Sequence, residues 1–253
     1  METEDEILRS IKEEIRRRIW DLMEKTNVAR FPGPVYGRIP NFIGAETAAR
    51  KLSEQEEFSK ARVVKVNPDS PQKAVRYLTL LSGKILLMPT PKLRSGFLLL
   101  DPSKIPKRAY DEASTIHGAF RYGEALGLKD VPKVDLFVAG SVAVSRDGVR
   151  VGKGGGYSEI EYGILREIGA VDDDTAIFTT VHDIQVVDFV PKEPYDLVVN
   201  AIVTPTKVIR INCTGGRPRG IFWEKLSIER IKEMLILAEL KTAIFQKDFQ
   251  GQP

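Results

Sequence analysis

Cysteine and histidine are scarce in this chain: its 253 residues include one cysteine, Cys213, and two histidines, His117 and His182. A single cysteine excludes an internal disulfide, because that bond joins two cysteines. Zinc sites are usually built from three or four cysteine and histidine ligands, so the sequence predicts no such site. This composition fits a reducing cytosol.

Long apolar runs and a large excess of one charge are also missing. No run approaches the roughly 20 apolar residues that a membrane-spanning helix needs. Residues 1–6 (METEDE) are mostly acidic, whereas signal and transit peptides are basic. The 38 basic and 35 acidic residues leave a net charge of +3, which does not by itself predict nucleic-acid binding. We therefore expect a cytoplasmic protein without a membrane segment, and the sequence gives no indication of its oligomeric state.

What is present is the composition of a globular protein, with 42% hydrophobic and 29% charged residues. A chain of this length commonly forms one α/β domain. No internal repeat, low-complexity tract or linker marks a boundary. We therefore predict a single domain over residues 1–253, with a loose tail from about residue 246.

Helical and strand-like patterns alternate along the chain. Helices are predicted over 7–23 and 45–52, from Ser70-Pro71 to a stop at Gly83, and from about Ser227 onward. Prolines and glycines predict an irregular loop over 31–44. Strands are predicted over 62–66, 85–88, 134–138, 175–181 and 197–211. This alternation predicts an α/β fold, a mostly parallel sheet with helices on both faces, Rossmann-like in kind.

A glycine-rich segment follows the strand region 134–144 and precedes a predicted helix. It reads Gly152-Lys153-Gly154-Gly155-Gly156. Glycines let the backbone approach an anion closely, and the helix start offers unpaired N–H groups, so the segment predicts a phosphate site. Lys153 and the preceding Arg150 add positive charge. The segment matches neither the Walker loop nor the GxGxxG fingerprint, and a loop that merely turns the chain is the alternative.

Two stretches, Val134-Asp135-Leu136 and Gly152 to Tyr157, together resemble the signature region of 5-formyltetrahydrofolate cyclo-ligase, also called methenyltetrahydrofolate synthetase. The Lys12 to Arg16 spacing and Asp196 followed by residues 201–205 resemble further landmarks of that family. The details are most similar to its methenyltetrahydrofolate synthetase domain-containing branch. Those details are segments 38–42, 65–69, 140–144 and 161–162.

The resemblance implies a Rossmann-like fold of the kind found in coenzyme A transferases, and an ATP-dependent ring closure. In that reaction the formyl oxygen of 5-formyltetrahydrofolate is phosphorylated, N10 attacks, and phosphate leaves to give 5,10-methenyltetrahydrofolate. The resemblance further implies that Arg150 and Lys153 act in catalysis and that Glu159 and Asp196 contact Mg²⁺. The residues it implies for ATP binding are Lys12, Arg16, Gly152, Gly154, Gly155, Gly156, Tyr157 and Ser158.

Two departures from the family pattern concern the site itself. The loop ends in Tyr157-Ser158-Glu159 where the family usually has Tyr-Tyr-Asp. After the strand ending at Val66 the chain has Asn67 where the family has a substrate-reading glutamate. The phosphate half of the site is therefore predicted to be retained, while the folate half departs from the pattern.

Three functions remain open at this stage: an active cyclo-ligase with a folate-type small-molecule substrate, a nucleotide-binding relative with another or lost activity, and an RNA-associated protein. The RNA alternative depends on the basic runs 16–18 and 215–220, without any RNP-like aromatic strand. The pair His182-Asp183 follows a predicted strand, but no nucleophile accompanies it. We interpret His182 as structural or substrate-binding.

Overall fold

Thirteen strands and nine α-helices are found in the computed structural model, which describes residues 3–212 and 216–250, with side chains through residue 242. The helices are α1 (Glu4–Lys25), α2 (Ala45–Ser53), α3 (Glu56–Lys60), α4 (Lys73–Leu81), α5 (Tyr110–Ala113), α6 (Ile116–Tyr122), α7 (Tyr157–Glu167), α8 (Ile228–Glu233) and α9 (Leu235–Gln250). Cys213 and Gly215, which entered the sequence predictions, lie outside the described residues. Among those that are described, no helix is both long enough and apolar enough to cross a membrane.

The strands form one large sheet and two small ones. In chain order they are β1 (Ala29–Arg30), β2 (Asn41–Phe42), β3 (Val63–Val66), β4 (Ile85–Pro89), β5 (Phe97–Leu100), β6 (Glu124–Leu126), β7 (Leu136–Ala139), β8 (Ala143–Ser145), β9 (Arg150–Val151), β10 (Ala176–Thr180), β11 (Val186–Val187), β12 (Ala201–Val203) and β13 (Val208–Arg210). The large sheet has eight strands in the order β13-β12-β10-β7-β3-β4-β5-β6. Its five central strands run parallel, and β13, β5 and β6 are antiparallel to their neighbours.

Alternating side chains on the central strands feed two hydrophobic clusters, one on each face of the sheet. On β7, Leu136 and Val138 belong to one cluster, and Phe137 and Ala139 belong to the other. Helices α1 to α6 cover the first face, whereas α7 and α9 cover the second. The predicted α/β fold, a mostly parallel sheet with helices on both faces, is confirmed.

Two sequence predictions needed correction in detail. The single strand expected over 197–211 is an antiparallel pair, β12 and β13, because Thr204-Pro205 starts a turn in which the Thr204 N–H bonds to the Lys207 carbonyl at 2.9 Å. Ser70-Pro71 begins a 3-10 turn, and the α-helix starts one turn later, at Lys73. Gly83, at φ 72°, ends that helix as predicted.

The remaining helix predictions agree closely with the structure. The capping box of Thr3 and Glu6 starts α1, which covers the predicted helix 7–23. Ser227 caps α8, and the backbone then breaks at buried Met234 before α9 begins. Helix α9 ends at Gln250, beyond position 246, and the loose tail stays a prediction.

Candidate functional site

The glycine-rich loop connects β9 to α7. Strand β9 pairs with β8 in the small sheet β11-β8-β9. In the chain, β8 and β9 come directly after β7 of the large sheet. Gly154 and Gly156 have φ of 97° and 60°. This is the left-handed region, which residues with a Cβ adopt only at an energetic cost. Gly156 is also the N-cap of the 11-residue α7. The loop therefore needs glycine at these two positions, and it presents the N-terminus of a helix.

The loop is the wall between two cavities. The first, of about 420 Å³, is lined by α1, by the loop, by residues 193–196 and by residues 218–230. The second, of about 340 Å³, is lined by residues 67–70, by residues 90–92, by the loop and by the start of α7. Five residues line both: Arg150, Gly152, Gly155, Gly156 and Glu159. Ligands held in the two cavities would meet at these five residues.

Two cations of α1 line the first cavity. Lys12 and Arg16 are four residues apart and therefore lie on the same face of the helix. The Lys12 ammonium is 2.5 Å from carboxylate oxygens of both Glu193 and Asp196. The Arg16 Nε donates to the Gly152 carbonyl at 2.8 Å, which ties α1 to the loop. The structure thus brings Lys12, Arg16 and Asp196 together with the glycines, as the resemblance implies.

Arg150 is the cation in the shared wall. Only 2% of Arg150 is exposed, and its Nη2 donates to the Gly140 carbonyl at 2.6 Å. Its Nη1 forms an ion pair with the carboxylate of Glu159. A buried, bonded guanidinium keeps a fixed orientation. Arg150 can therefore present positive charge at the junction of the two cavities.

Lys153 lies on the other side of the loop from the first cavity. It lines the second cavity, where its ammonium is 3.0 Å from an Asp69 oxygen. Tyr157 and Ser158 also line the second cavity and not the first. Nine of the twelve residues that the resemblance implies therefore surround the first cavity, and these three face its neighbour.

A buried ion pair beneath the second cavity was not identified from sequence. Lys65 on β3 has no exposed surface and forms an ion pair with Glu161 of α7. Its ammonium also donates to Asn67 Oδ1 at 2.6 Å and lies 3.8 Å from the centre of the Phe137 ring. Asn67 in turn donates to the Ser158 hydroxyl at 2.8 Å. Lysine within the apolar run Val63–Val66 was the available signal.

Burial shifts the pKa of one lysine and two carboxylates around the two cavities. It lowers the pKa of Lys65 and raises the pKa of Glu161, and the attraction between the two opposes both changes. Burial also raises the pKa of Asp196, against the effect of Lys12. Glu161 lines the second cavity. The family pattern has its substrate-reading glutamate directly after β3, where this chain has Asn67. Here a carboxylate is supplied instead by Glu161 of α7, which is joined to Asn67 through the Lys65 ammonium.

Glu159 and Asp196 are the two carboxylates that the resemblance implies for Mg²⁺. Both line the first cavity, and their oxygens are of the kind that Mg²⁺ prefers. Each is held by a cation, Arg150 and Lys12 respectively. Within residues 3–212 and 216–250, no group of three or more histidine, cysteine or acidic residues is arranged to hold a metal. Two carboxylates suit Mg²⁺ that binds together with nucleotide phosphates.

Two other candidates from the sequence have structural roles. His182 lines neither cavity; its Nδ1 accepts from the Ile184 N–H at 3.3 Å, and its ring packs edge-on against Phe42. Arg217, from the basic run 215–220, donates to the Asp173 carbonyl at 3.1 Å and to Asn200 Oδ1 at 2.5 Å. Arg217 therefore ties the chain to the ends of two strands, which gives no support to an RNA contact at that position.

Comparison with known proteins gives consistent relatives. A sequence model of the 5-formyltetrahydrofolate cyclo-ligase family matches residues 9–205. The methenyltetrahydrofolate synthase domain-containing protein of Bos taurus is 46% identical over 235 residues, which cover 91% of this chain and 62% of the relative. The protein of the same description from Mus musculus is 44% identical over 246 residues, covering 95% and 65%. The chain thus spans somewhat under two thirds of the length of these relatives.

A solved structure shares the fold. The NMR structure of Aquifex aeolicus 5,10-methenyltetrahydrofolate synthetase superposes with a TM-score of 0.50 at 18% identity. The superposition covers 85% of this chain and all of the other. At this identity the likeness concerns the fold.

Proposed function

Because the chain belongs to the 5-formyltetrahydrofolate cyclo-ligase family, we propose that it closes 5-formyltetrahydrofolate to 5,10-methenyltetrahydrofolate at the expense of ATP. The observation that carries the proposal is the wall of five residues that two cavities share. A reaction between a phosphoryl donor and a separate acceptor needs the two substrates held side by side. A cytoplasmic location belongs to the same proposal, and the near absence of cysteine supports it.

The first cavity is proposed to hold ATP. Lys12 and Arg16 supply positive charge from α1, and the start of α7 supplies backbone N–H groups. Phosphoryl transfer is catalysed mainly by positioning and by neutralising charge, so this arrangement suits it. Mg²⁺ would be held by Glu159 and Asp196 together with the phosphates, and it would supply further charge neutralisation.

The second cavity is proposed to hold the folate, with the formyl oxygen at the shared wall. That oxygen takes the γ-phosphoryl group and ADP leaves. N10 then attacks the activated formyl carbon and loses its proton, and phosphate departs with the former formyl oxygen. Arg150 lines both cavities and would stabilise the charge on the transferring group. Asn67 and Glu161 offer polar contacts to the substrate.

The ring-closure assay tests this proposal directly, because methenyltetrahydrofolate absorbs strongly in the near ultraviolet. We expect product from the wild type with ATP, magnesium and 5-formyltetrahydrofolate, and a loss of at least about 100-fold in kcat for Arg150→Ala. Arg146→Ala is the matched control, because Arg146 is exposed and pairs with Asp188 away from both cavities. No product from the wild type would refute the proposed reaction.

A second candidate is a nucleotide-binding protein with a different acceptor. It is favoured by Asn67, which lines the second cavity at the position where the family pattern has a substrate-reading glutamate. ATP binding by a wild type that forms no methenyltetrahydrofolate would support this candidate over the first.

A further inference from the structure

The part of the chain beyond the family match contributes to the first cavity. The match ends at residue 205, yet residues between 218 and 230 form one side of the cavity. Gly163 of α7 permits their close approach, because a Cβ there would lie 2.8 Å from the Ile221 side chain. Phe222 packs edge-on against Tyr195 with ring centres 5.9 Å apart. The segment is therefore a packed wall of the cavity.

The charges that line this cavity are almost fully paired. Its carboxylates belong to Asp5, Glu13, Glu159, Glu193 and Asp196, and each forms an ion pair with Lys12, Arg16, Arg150 or Lys225. Two lining arginines, Arg9 and Arg230, form no ion pair with any described residue. Arg9 is exposed to solvent, whereas Arg230 is partly buried.

Arg230 is held against the glycine loop with donors left over. Its Nη2 donates to the Gly155 carbonyl, and its guanidinium lies 5.1 Å from the centre of the Tyr157 ring. Its Nε is buried and has no hydrogen-bond partner. Buried donors without acceptors are rare in native proteins. A guanidinium that lines the cavity without an acidic partner among the described residues, beside a glycine-rich anion site, matches a phosphate group.

We infer that Arg230 contacts the phosphates of the ligand in the first cavity, and that α8 thereby completes the site from outside the family-matched region. The inference rests on the proposed phosphate-binding role of that cavity and extends it to a specific residue. It requires a polyphosphate ligand, and it does not require that the ligand be consumed in ring closure.

Calorimetric binding of ATP, tripolyphosphate and adenosine to the full chain tests the inference. We expect Arg230→Ala to weaken ATP and tripolyphosphate at least tenfold and to leave adenosine unchanged. Arg230→Lys should retain part of the affinity, because it keeps the charge and loses the fork. Lys232→Ala, an exposed cation of the same helix, is the matched control and should bind as the wild type does.

Each outcome is decisive. Unchanged tripolyphosphate binding by Arg230→Ala overturns the inference, as does a wild type that binds neither polyphosphate. Equal losses for ATP and adenosine also overturn it, because they indicate a disturbed cavity, and a melting curve without ligand detects that case. Arg230-dependent tripolyphosphate binding without ring closure supports the inference while the proposed reaction fails.

Discussion

Replacing Glu161 by glutamine would leave the Lys65 ammonium buried without its counter-charge. Lys65 has no exposed surface, and its remaining polar contact is Asn67 Oδ1. Removing one partner of a buried ion pair costs about 3–5 kcal/mol. In a chain of this size that loss corresponds to a fall in Tm of about 6–20 °C. Urea denaturation at pH 7 measures the change in the free energy of unfolding.

The pH dependence gives the same prediction a second test. Burial already lowers the pKa of Lys65, and losing Glu161 lowers it further. Between the folded and unfolded pKa values the unfolded chain binds the extra proton, so the variant gains stability as pH rises. Its deficit should narrow as pH rises toward the ordinary lysine pKa of about 10.4, by at most about 1.4 kcal/mol per pH unit.

Two further variants test whether the loss of stability comes from the burial of the unpaired charge rather than from the loss of an ion pair alone. Glu56→Gln breaks the Glu56–Lys60 pair, whose side chains are 72% and 76% exposed, and it should cost no more than about 0.5 kcal/mol. Lys65→Met combined with Glu161→Met should recover most of the loss, because apolar replacement of a buried pair is often neutral. The reasoning is refuted if Glu161→Gln costs no more than Glu56→Gln.

Three other predictions follow from single positions. Gly154 has a φ of 97°, so Gly154→Ala should lower the free energy of unfolding, measured by urea denaturation, by about 1–2 kcal/mol. Gly33→Ala should lower it less, because Gly33 has open space around it and no positive φ. Equal losses would contradict the argument that a Cβ at position 154 is strained. Burial lowers the pKa of His182, so the free energy of unfolding of the wild type should fall as pH drops below 6.5. His182→Asn should make that fall less steep, and an equally steep fall in the variant would contradict the role given to His182. Lys153→Ala should raise KM for the folate more than KM for ATP, because Lys153 lines the second cavity beside Asp69. A larger rise in KM for ATP than for the folate would instead mean that Lys153 contacts the nucleotide.

Local patterns in the sequence predicted the central strands β3, β4, β7 and β10 and the helices α1, α2 and α4, whereas β5, β6, α5 and α6 were not predicted. The apolar stripe of α1 has a helical period, and the short run of β3 is rich in valine, which favours a strand. The break between β12 and β13 was missed although Thr204-Pro205-Thr206-Lys207 separates two apolar runs with a proline, which is a turn signal. The prediction of one strand over 197–211 therefore overlooked a signal that is local in the sequence.

The site was predictable where its chemistry is local. The loop could be recognised from its glycines, but the side on which Lys153 lies depends on the backbone angles of Gly154 and its neighbours. Lys65 and Glu161 are 96 residues apart, and only the packing of α7 on the sheet brings them together. Arg230 lies beyond the matched region, so no family pattern pointed to it.

The common wall of the two cavities has a thermodynamic consequence. Arg150 and Glu159 line both cavities, so a ligand that shifts their pairing in one cavity would change the affinity of the other cavity for its own ligand. Such coupling is reciprocal: the factor by which nucleotide alters binding of the acceptor equals the factor by which the acceptor alters binding of nucleotide. Ligands bound on the two sides of this shared wall would therefore form a single linked system.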